Sequence, residues 1–226
     1  MSENIRVAID GPSGAGKSTL ARSAAARLNF LYVDTGAIYR TIGYAVWRKG
    51  IDPRDRSAVV AVLPDLEICL TYGTDGLQHM ELNGMDVTAE IRLPEVSRYA
   101  SQVSAYPEVR AYLLEMQRQL ARENSVVMDG RDIGTVVLPD AEVKVFLTAS
   151  AEERARRRML ELEERGTPEP YAAILRAIQE RDWNDTHRDA APLRQAEDAV
   201  LLDTTALDFV QSEDALLHII RERTGL

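Results

Sequence analysis

The segment Gly11-Pro12-Ser13-Gly14-Ala15-Gly16-Lys17-Ser18 constrains this chain more than anything else in it. It matches G-x-x-x-x-G-K-[ST] in full, and residues 5–9 (IRVAI) and 18–28 supply the strand before and the helix after that the pattern needs. The glycines let successive backbone N–H groups curl around a phosphate, and the following helix adds partial positive charge from its N-terminus. In such a loop Lys17 bridges the β- and γ-phosphates and the Ser18 hydroxyl holds Mg²⁺, while the Thr19 hydroxyl reaches the α-phosphate. A Gly-rich turn alone is a weak signal; the full pattern between a strand and a helix is a strong one. It predicts nucleoside triphosphate binding by residues 11–19 and leaves kinase, switch and motor open.

The rest of the chain alternates short buried-strand patterns with helical ones. Residues 31–33, 125–128, 143–147 and 200–202 read as further strands, and 37–49 as a helix. Short buried strands between helices predict an α/β fold, a parallel sheet covered on both faces in three layers. Pro94 and Pro107 stand where a first-turn proline is tolerated, and Val109, Tyr112, Leu113, Met116 and Leu120 mark one apolar helical stripe. Ser212 is the expected cap of the last helix, with Glu213 and Asp214 in its first turn. One stretch breaks the pattern. Leu66, Ile68, Leu70 and Tyr72 alternate with Glu67, Cys69 and Thr71; Gly73-Thr74-Asp75-Gly76 reads as a turn, Met80 and Leu82 resume the alternation, and Asn83-Gly84 is a two-residue hairpin signal. That predicts a small antiparallel insert, too short to bury a core alone.

Three further clusters carry charge just beyond predicted strands or along a helix. Asp34-Thr35-Gly36-Ala37-Ile38-Tyr39-Arg40 follows the second strand, at the carboxyl edge where open parallel sheets bind ligands. Thr35 offers a hydroxyl and Arg40 a fork suited to a phosphate monoester; a helix cap plus a surface arginine is the plainer alternative. In Val126-Val127-Met128-Asp129-Gly130-Arg131-Asp132-Ile133-Gly134-Thr135, Asp129 ends an apolar strand, where P-loop enzymes keep a Mg²⁺-organising carboxylate. A plain Asp-Gly turn is the alternative there. Arg181, Asp185 and Arg188 fall at i, i+4 and i+7, so one helix face presents cation, anion, cation; by spacing alone a solvated ion-pair ladder fits equally.

Taken together, GPSGAGKST, DTGAIYR, SQVSAYPEVR, DGRDIGT and RDWNDTHR resemble the motifs of the bacterial cytidylate kinase family, in its order and with its insert, from about residue 5 to residue 203. The resemblance implies a single domain over residues 1–226: a P-loop core of about 1–62 and 93–226, a monophosphate-binding insert of about 63–92 and a helical lid of about 150–168. It implies transfer of the γ-phosphate of ATP to CMP or dCMP with Mg²⁺, the metal held by Ser18 and, directly or through water, Asp129. Arg40, Arg131 and Arg188 match arginines that grip the monophosphate or the transferring group. Thr35, Ser101, Arg110, Asp132, Arg181 and Asp185 match positions that contact CMP, Asp132 accepting from the cytosine amino group and Asp185 with Arg181 taking the ribose. In the lid segment Arg154, Arg157 and Arg158 lie close together and could reach phosphates on closure, Arg158 being the one assigned to catalysis with Lys17, Arg131 and Arg188. Since the attacking phosphate oxygen is already ionised at neutral pH, no strong general base is expected.

Composition bounds the partners. The chain has 226 residues, 45% apolar and 28% charged, with a formal net charge of -9. An acidic surface argues against a nucleic-acid polymer and for a small phosphorylated ligand held by local cations. The lone Cys69 excludes an intrachain disulfide and a cysteine metal cluster. The opening Met-Ser-Glu-Asn-Ile-Arg has no apolar stretch behind a basic head, and no run approaches the ~18 apolar residues of a membrane span, so a cytoplasmic, membrane-independent protein is expected, and a monomer because no apolar stripe is evident beyond those the helices need for the core. His79, His187 and His218 read as surface or packing residues. The rivals are a kinase for UMP, AMP or shikimate, a nucleotide switch, for which the guanine-reading N-K-x-D string is missing, and a non-catalytic nucleotide-binding relative.

Overall fold

The computed structural model describes residues 4–74 and 76–226, so the reading of the first three residues, and Asp75 in the expected turn, lie outside the described residues. In chain order the elements are β1 (Arg6–Asp10), α1 (Lys17–Leu28), β2 (Leu31–Asp34), α2 (Thr35–Arg48), α3 (Arg56–Val62), β3 (Ile68–Tyr72), β4 (Gln78–Leu82) and β5 (Met85–Asp86). Then come α4 (Pro94–Val103), α5 (Pro107–Glu123), β6 (Val126–Gly130), β7 (Val143–Thr148), α6 (Ala151–Glu164), α7 (Tyr171–His187), β8 (Val200–Asp203) and α8 (Phe209–Thr224). The fold is α/β, a parallel central sheet flanked by helices plus a small antiparallel sheet. The five-stranded sheet runs β2-β6-β1-β7-β8, and the three-stranded one β3-β4-β5.

The chain forms two compact units, Met1–Tyr32 with Ala121–Leu226, and Val33–Leu120. In the first, β1 pairs in parallel with β6 and β7, Ile9 opposite Asp129 and Val145. A strand with neighbours on both edges and helices over it must be apolar throughout, and Val7, Ala8 and Ile9 are fully buried. Helices α1 and α8 share one core with the strands: Leu20 and Ala24 from α1 and Leu216 and Ile220 from α8 pack with Val7, Val145 and Leu147. Glu213 ties the two helices, accepting from the Ser23 hydroxyl and pairing with Arg27 at 2.8 Å. A second, smaller core of Ala155, Leu162, Ile174 and Ile178 holds α6 against α7.

In the second unit α2 crosses α4 at Gly43, where a Cβ would meet the Ala100 amide nitrogen at 2.7 Å, so only glycine permits that approach. The antiparallel sheet pairs Ile68 with Leu82 and Leu70 with Met80. Asn83 (φ 51°) and Gly84 (φ 75°) make the predicted hairpin turn in the left-handed region. Cys69, between them on β3, points outward and is exposed.

Four local expectations are corrected. Helix α2 starts at Thr35 and not at residue 37, because the Asp34 carboxylate accepts from the Ala37 amide at 2.9 Å and caps the helix straight out of β2. The last helix starts at Phe209, not after Ser212. Asp208 and Gln211 form a reciprocal capping box, and Ser212 sits inside the helix donating to the Asp208 carbonyl at 2.6 Å. The buried stripe of α5 is Val109, Leu113, Gln117 and Ala121, spaced by four, while Tyr112 lies 38% exposed with its hydroxyl on the Leu66 carbonyl. Finally, α7 ends at His187, and Arg188 has extended backbone beyond it (ψ 145°), so the cation–anion–cation set does not lie on one helix face.

Candidate active site

Within the first unit the phosphate loop leaves β1 at Gly11, whose φ is 151° and where a Cβ would fall 1.9 Å from the Leu147 carbonyl oxygen of β7. Gly14 (φ 76°) and Gly16 (φ 88°) take left-handed backbone that side chains resist, and the turn opens into α1 at Lys17. Pro12, Ser13 and Ala15 fill the turn between the glycines, and Thr19 stands on the first turn of α1. Lys17 is buried, with its ammonium donating to the Pro12 carbonyl at 2.8 Å. Burial first, then the Arg131 charge, push its pKa well down, while Asp129 opposes them. Such an ammonium is short of compensating anion, which a polyphosphate supplies.

Ser18 donates to Asp129 Oδ2 at 2.9 Å, so the loop hydroxyl and the carboxylate at the end of β6 stand side by side. The other carboxylate oxygen, Oδ1, accepts from the Tyr32 hydroxyl at 2.9 Å, and the Arg22 guanidinium lies 5.4 Å over that ring. Just beyond Asp129, Arg131 donates from Nε to Asp185 Oδ2 at 2.8 Å. Arg188 stands 3.8 Å from Asp132 and 4.0 Å from Asp185, and its Nε donates to the Ala191 carbonyl at 2.9 Å. The DGRDIGT and RDWNDTHR segments, far apart in sequence, therefore close on one another through alternating charges. Burial pushes the Asp185 carboxyl up, but Arg131, Arg181 and Arg188 outweigh it and hold it below the usual carboxylate range.

Two residues of this centre escaped the sequence reading. Asp10, at the carboxyl end of β1, is buried and accepts from the Ile133 and Gly134 amides, both at 2.7 Å. Burial raises its pKa to about 6, against the pull of those two amides and of Lys17. Tyr32 is the other. An acid ending the strand that feeds the phosphate loop is a sequence signal for Asp10; for Tyr32, in an apolar run, there was none.

The expected lid arginines differ in station. Arg154 is only 5% exposed and donates to the Ala149 and Ser13 carbonyls, both at 2.9 Å, and to both oxygens of Asp182 at 3.1 and 2.6 Å. Arg157 is held by Glu153 at 2.9 Å and by the Thr204 carbonyl at 2.6 Å. Arg158 faces solvent, and among the described residues its ion-pair partner is Glu161 at 2.8 Å.

In the second unit Asp34 is the organising group. Its two oxygens serve the Ala37 amide and Arg92 at 3.0 Å, with Arg40 at 4.0 Å. Burial raises its pKa, yet Arg40 and Arg92 outweigh burial and hold the carboxyl below its ordinary value. Arg92, unremarked in the sequence, thus joins Arg40 on one carboxylate. Thr35 is buried in the first turn of α2. Arg110 lies 5.3 Å over the Tyr39 ring and donates to the Ser104 carbonyl at 3.0 Å; Ser101 is one turn earlier on α4.

The family model of cytidylate kinase matches residues 7–222. The chain belongs to the cytidylate kinase family. The cytidylate kinase of Caldicellulosiruptor bescii is 49% identical over 217 residues, covering 96% of each chain. That of Carboxydothermus hydrogenoformans is 50% identical over 222 residues, 98% of this chain and 100% of its own. A solved structure of an uncharacterized protein from Eubacterium ventriosum superposes with a TM-score of 0.54 at 13% identity, covering 98% and 100% of the two chains, and shares the fold. The family match spans the phosphate loop, the antiparallel insert and the charge-alternating centre of this chain alike.

Proposed function

We propose that this protein transfers the γ-phosphate of ATP to CMP or dCMP, giving ADP with CDP or dCDP. The full-length relationship to cytidylate kinases carries the reading. The centre where Lys17, Asp129, Arg131, Asp132, Asp185 and Arg188 meet supports it chemically. The acceptor oxygen is ionised already, so the task is to bring two polyanions in line and neutralise charge on the β–γ bridge. Residues 11–19 cradle the triphosphate, and Lys17 offsets charge between its β- and γ-groups. The paired oxygens of Ser18 and Asp129 fit Mg²⁺, a hard cation that prefers oxygen ligands and supplies charge neutralisation at the phosphates when bound. Arg131 and Arg188 hold the phosphate being transferred, each kept in orientation by the Asp185 carboxylate. Arg158, solvent-facing on α6, is the lid arginine of the three best placed to move.

CMP recognition is assigned to Thr35, Arg40, Ser101, Arg110, Asp132, Arg181 and Asp185 on the motif resemblance. We take the chain to act as one kinase domain, with an insert of about 63–92 and a lid of about 150–168, as a cytoplasmic monomer using the cell's nucleotide pool. Among the described residues no helix is long and apolar enough to cross a membrane. An ADP-release assay with ATP and Mg²⁺, offering CMP, dCMP, UMP, AMP and GMP separately, tests the reading. Fast turnover with CMP and dCMP and near none with purines is expected; comparable rates with AMP or GMP would sink it.

A further inference from the structure

We propose that Arg154 is a positioning residue of the phosphate loop: it fixes the Ser13–Gly14 peptide so that the Gly14 N–H is aimed into the cradle, and it ties that peptide to α7 through Asp182. The inference rests on the reading of residues 11–19 as the nucleotide cradle.

A trans peptide is a rigid plane in which the carbonyl and the N–H point in opposite directions. Holding one therefore aims the other. Arg154 Nη1 holds the Ser13 carbonyl at 2.9 Å, which turns the Gly14 N–H away from α6. That plane needs such a hold, because Gly14 sits at φ 76° with no side chain to pack. The loop rests directly on α6: a Cβ at Gly14 would lie 3.5 Å from Arg154 Cβ.

The same guanidinium is anchored by three other hydrogen bonds to two further partners. Its Nε donates to the Ala149 carbonyl at 2.9 Å, and Nη1 and Nη2 fork across Asp182 at 3.1 and 2.6 Å. Only arginine can do this, since a lysine ammonium lacks the planar fork. Reaching a phosphate would break these bonds and leave a carboxylate of α7 without its counter-charge, so Arg154 acts through the loop and not on the ligand. Asp182 also lies next to Arg181 in sequence, so the helix bearing Arg181 and Asp185 is pinned to the loop at the same point.

The test is titration of N-methylanthraniloyl-ATP with Mg²⁺ into Arg154→Met, Asp182→Asn and the unmodified protein, with CMP KM measured at saturating ATP and thermal melting alongside. Losing the charge-assisted bond to Ser13 is expected to weaken Kd for the ATP analogue about tenfold in Arg154→Met, and less in Asp182→Asn, with the CMP KM within about twofold. Asp182→Asn keeps the shape, and covers the case in which Arg154→Met does not fold. An unchanged ATP-analogue Kd in a folded variant overturns the proposal, as does a kcat that collapses at unchanged Kd, which would make Arg154 a catalytic lid residue. Equal weakening of ATP-analogue and CMP binding with a lowered melting temperature also overturns it, marking a general structural role. Absence of CMP-dependent turnover in the unmodified protein would overturn the kinase reading instead, and the ATP-analogue titrations would still decide this one.

Discussion

Asp10 shows how one buried carboxylate can be both useful and costly. Its two amide bonds hold the turn that carries Arg131 and Asp132, yet burial lifts its pKa to about 6 from an ordinary 3.8. A raised value means that its contribution to stability belongs to the protonated form. That contribution is complete below about pH 4 and is lost as pH rises through 6. Unfolding free energies of the unmodified protein and Asp10→Asn, measured in urea from about pH 4 to 7, should diverge accordingly. The difference is expected to move against the unmodified protein by about 3 kcal/mol over that range; a flat difference would mean that Asp10 ionises normally. Tyr32 makes a second prediction. Its hydroxyl orients Asp129, so Tyr32→Phe should raise the Mg²⁺ concentration needed for half-maximal binding of a fluorescent ATP analogue by roughly tenfold, leaving Mg²⁺-free nucleotide affinity alone. An unchanged Mg²⁺ requirement would show that Asp129 needs no such support. Neither residue was singled out from sequence, because a tyrosine in an apolar strand reads as packing and an acid at a strand end reads as a turn.

At the level of elements, periodicity located every strand of the parallel sheet and missed mainly at ends, where side-chain hydrogen bonds decide. Ser212 looked like a cap because acids follow it, but the reciprocal pair Asp208 and Gln211 starts the helix four residues earlier. Asp208→Ala is therefore expected to cost about 1 kcal/mol and lower Tm by roughly 2–4 °C, while Ser212→Ala is expected to change Tm by less than half as much. Equal effects in a thermal melt would return the cap to Ser212. Tyr112 was placed on the buried stripe of α5 for a similar reason: its ring is apolar, but its hydroxyl finds the Leu66 carbonyl at the rim, and Gln117 takes the interior position. The motifs were legible because phosphate chemistry fixes residue type and spacing together. Charge pairing between Arg131 and Asp185 was not, since nothing local to either records a partner about fifty residues away.

On the scale of the molecule, the two compact units have no linker to betray them. The divisions fall after Tyr32 and Leu120, within the residue ranges of β2 and α5, so no stretch of connecting sequence marks them. Gly- or Ser-rich composition marks only boundaries that are flexible. Binding should be visible in the melting of the whole chain: a ligand at about a hundred times its Kd adds about 2.7 kcal/mol, which corresponds to a Tm rise of roughly 5–10 °C. CMP is expected to produce that rise and AMP at equal concentration almost none, as read by differential scanning fluorimetry. A rise with both would remove the base selectivity on which the CMP assignment depends. Cys69 makes such experiments easier to extend. As the chain's one thiol, exposed on the outer face of β3, it is a ready address for a maleimide fluorophore with no background labelling to remove. A dye placed there watches the antiparallel sheet alone, so a signal change on adding CMP would report motion in that sheet, in real time and in a protein carrying no substitution.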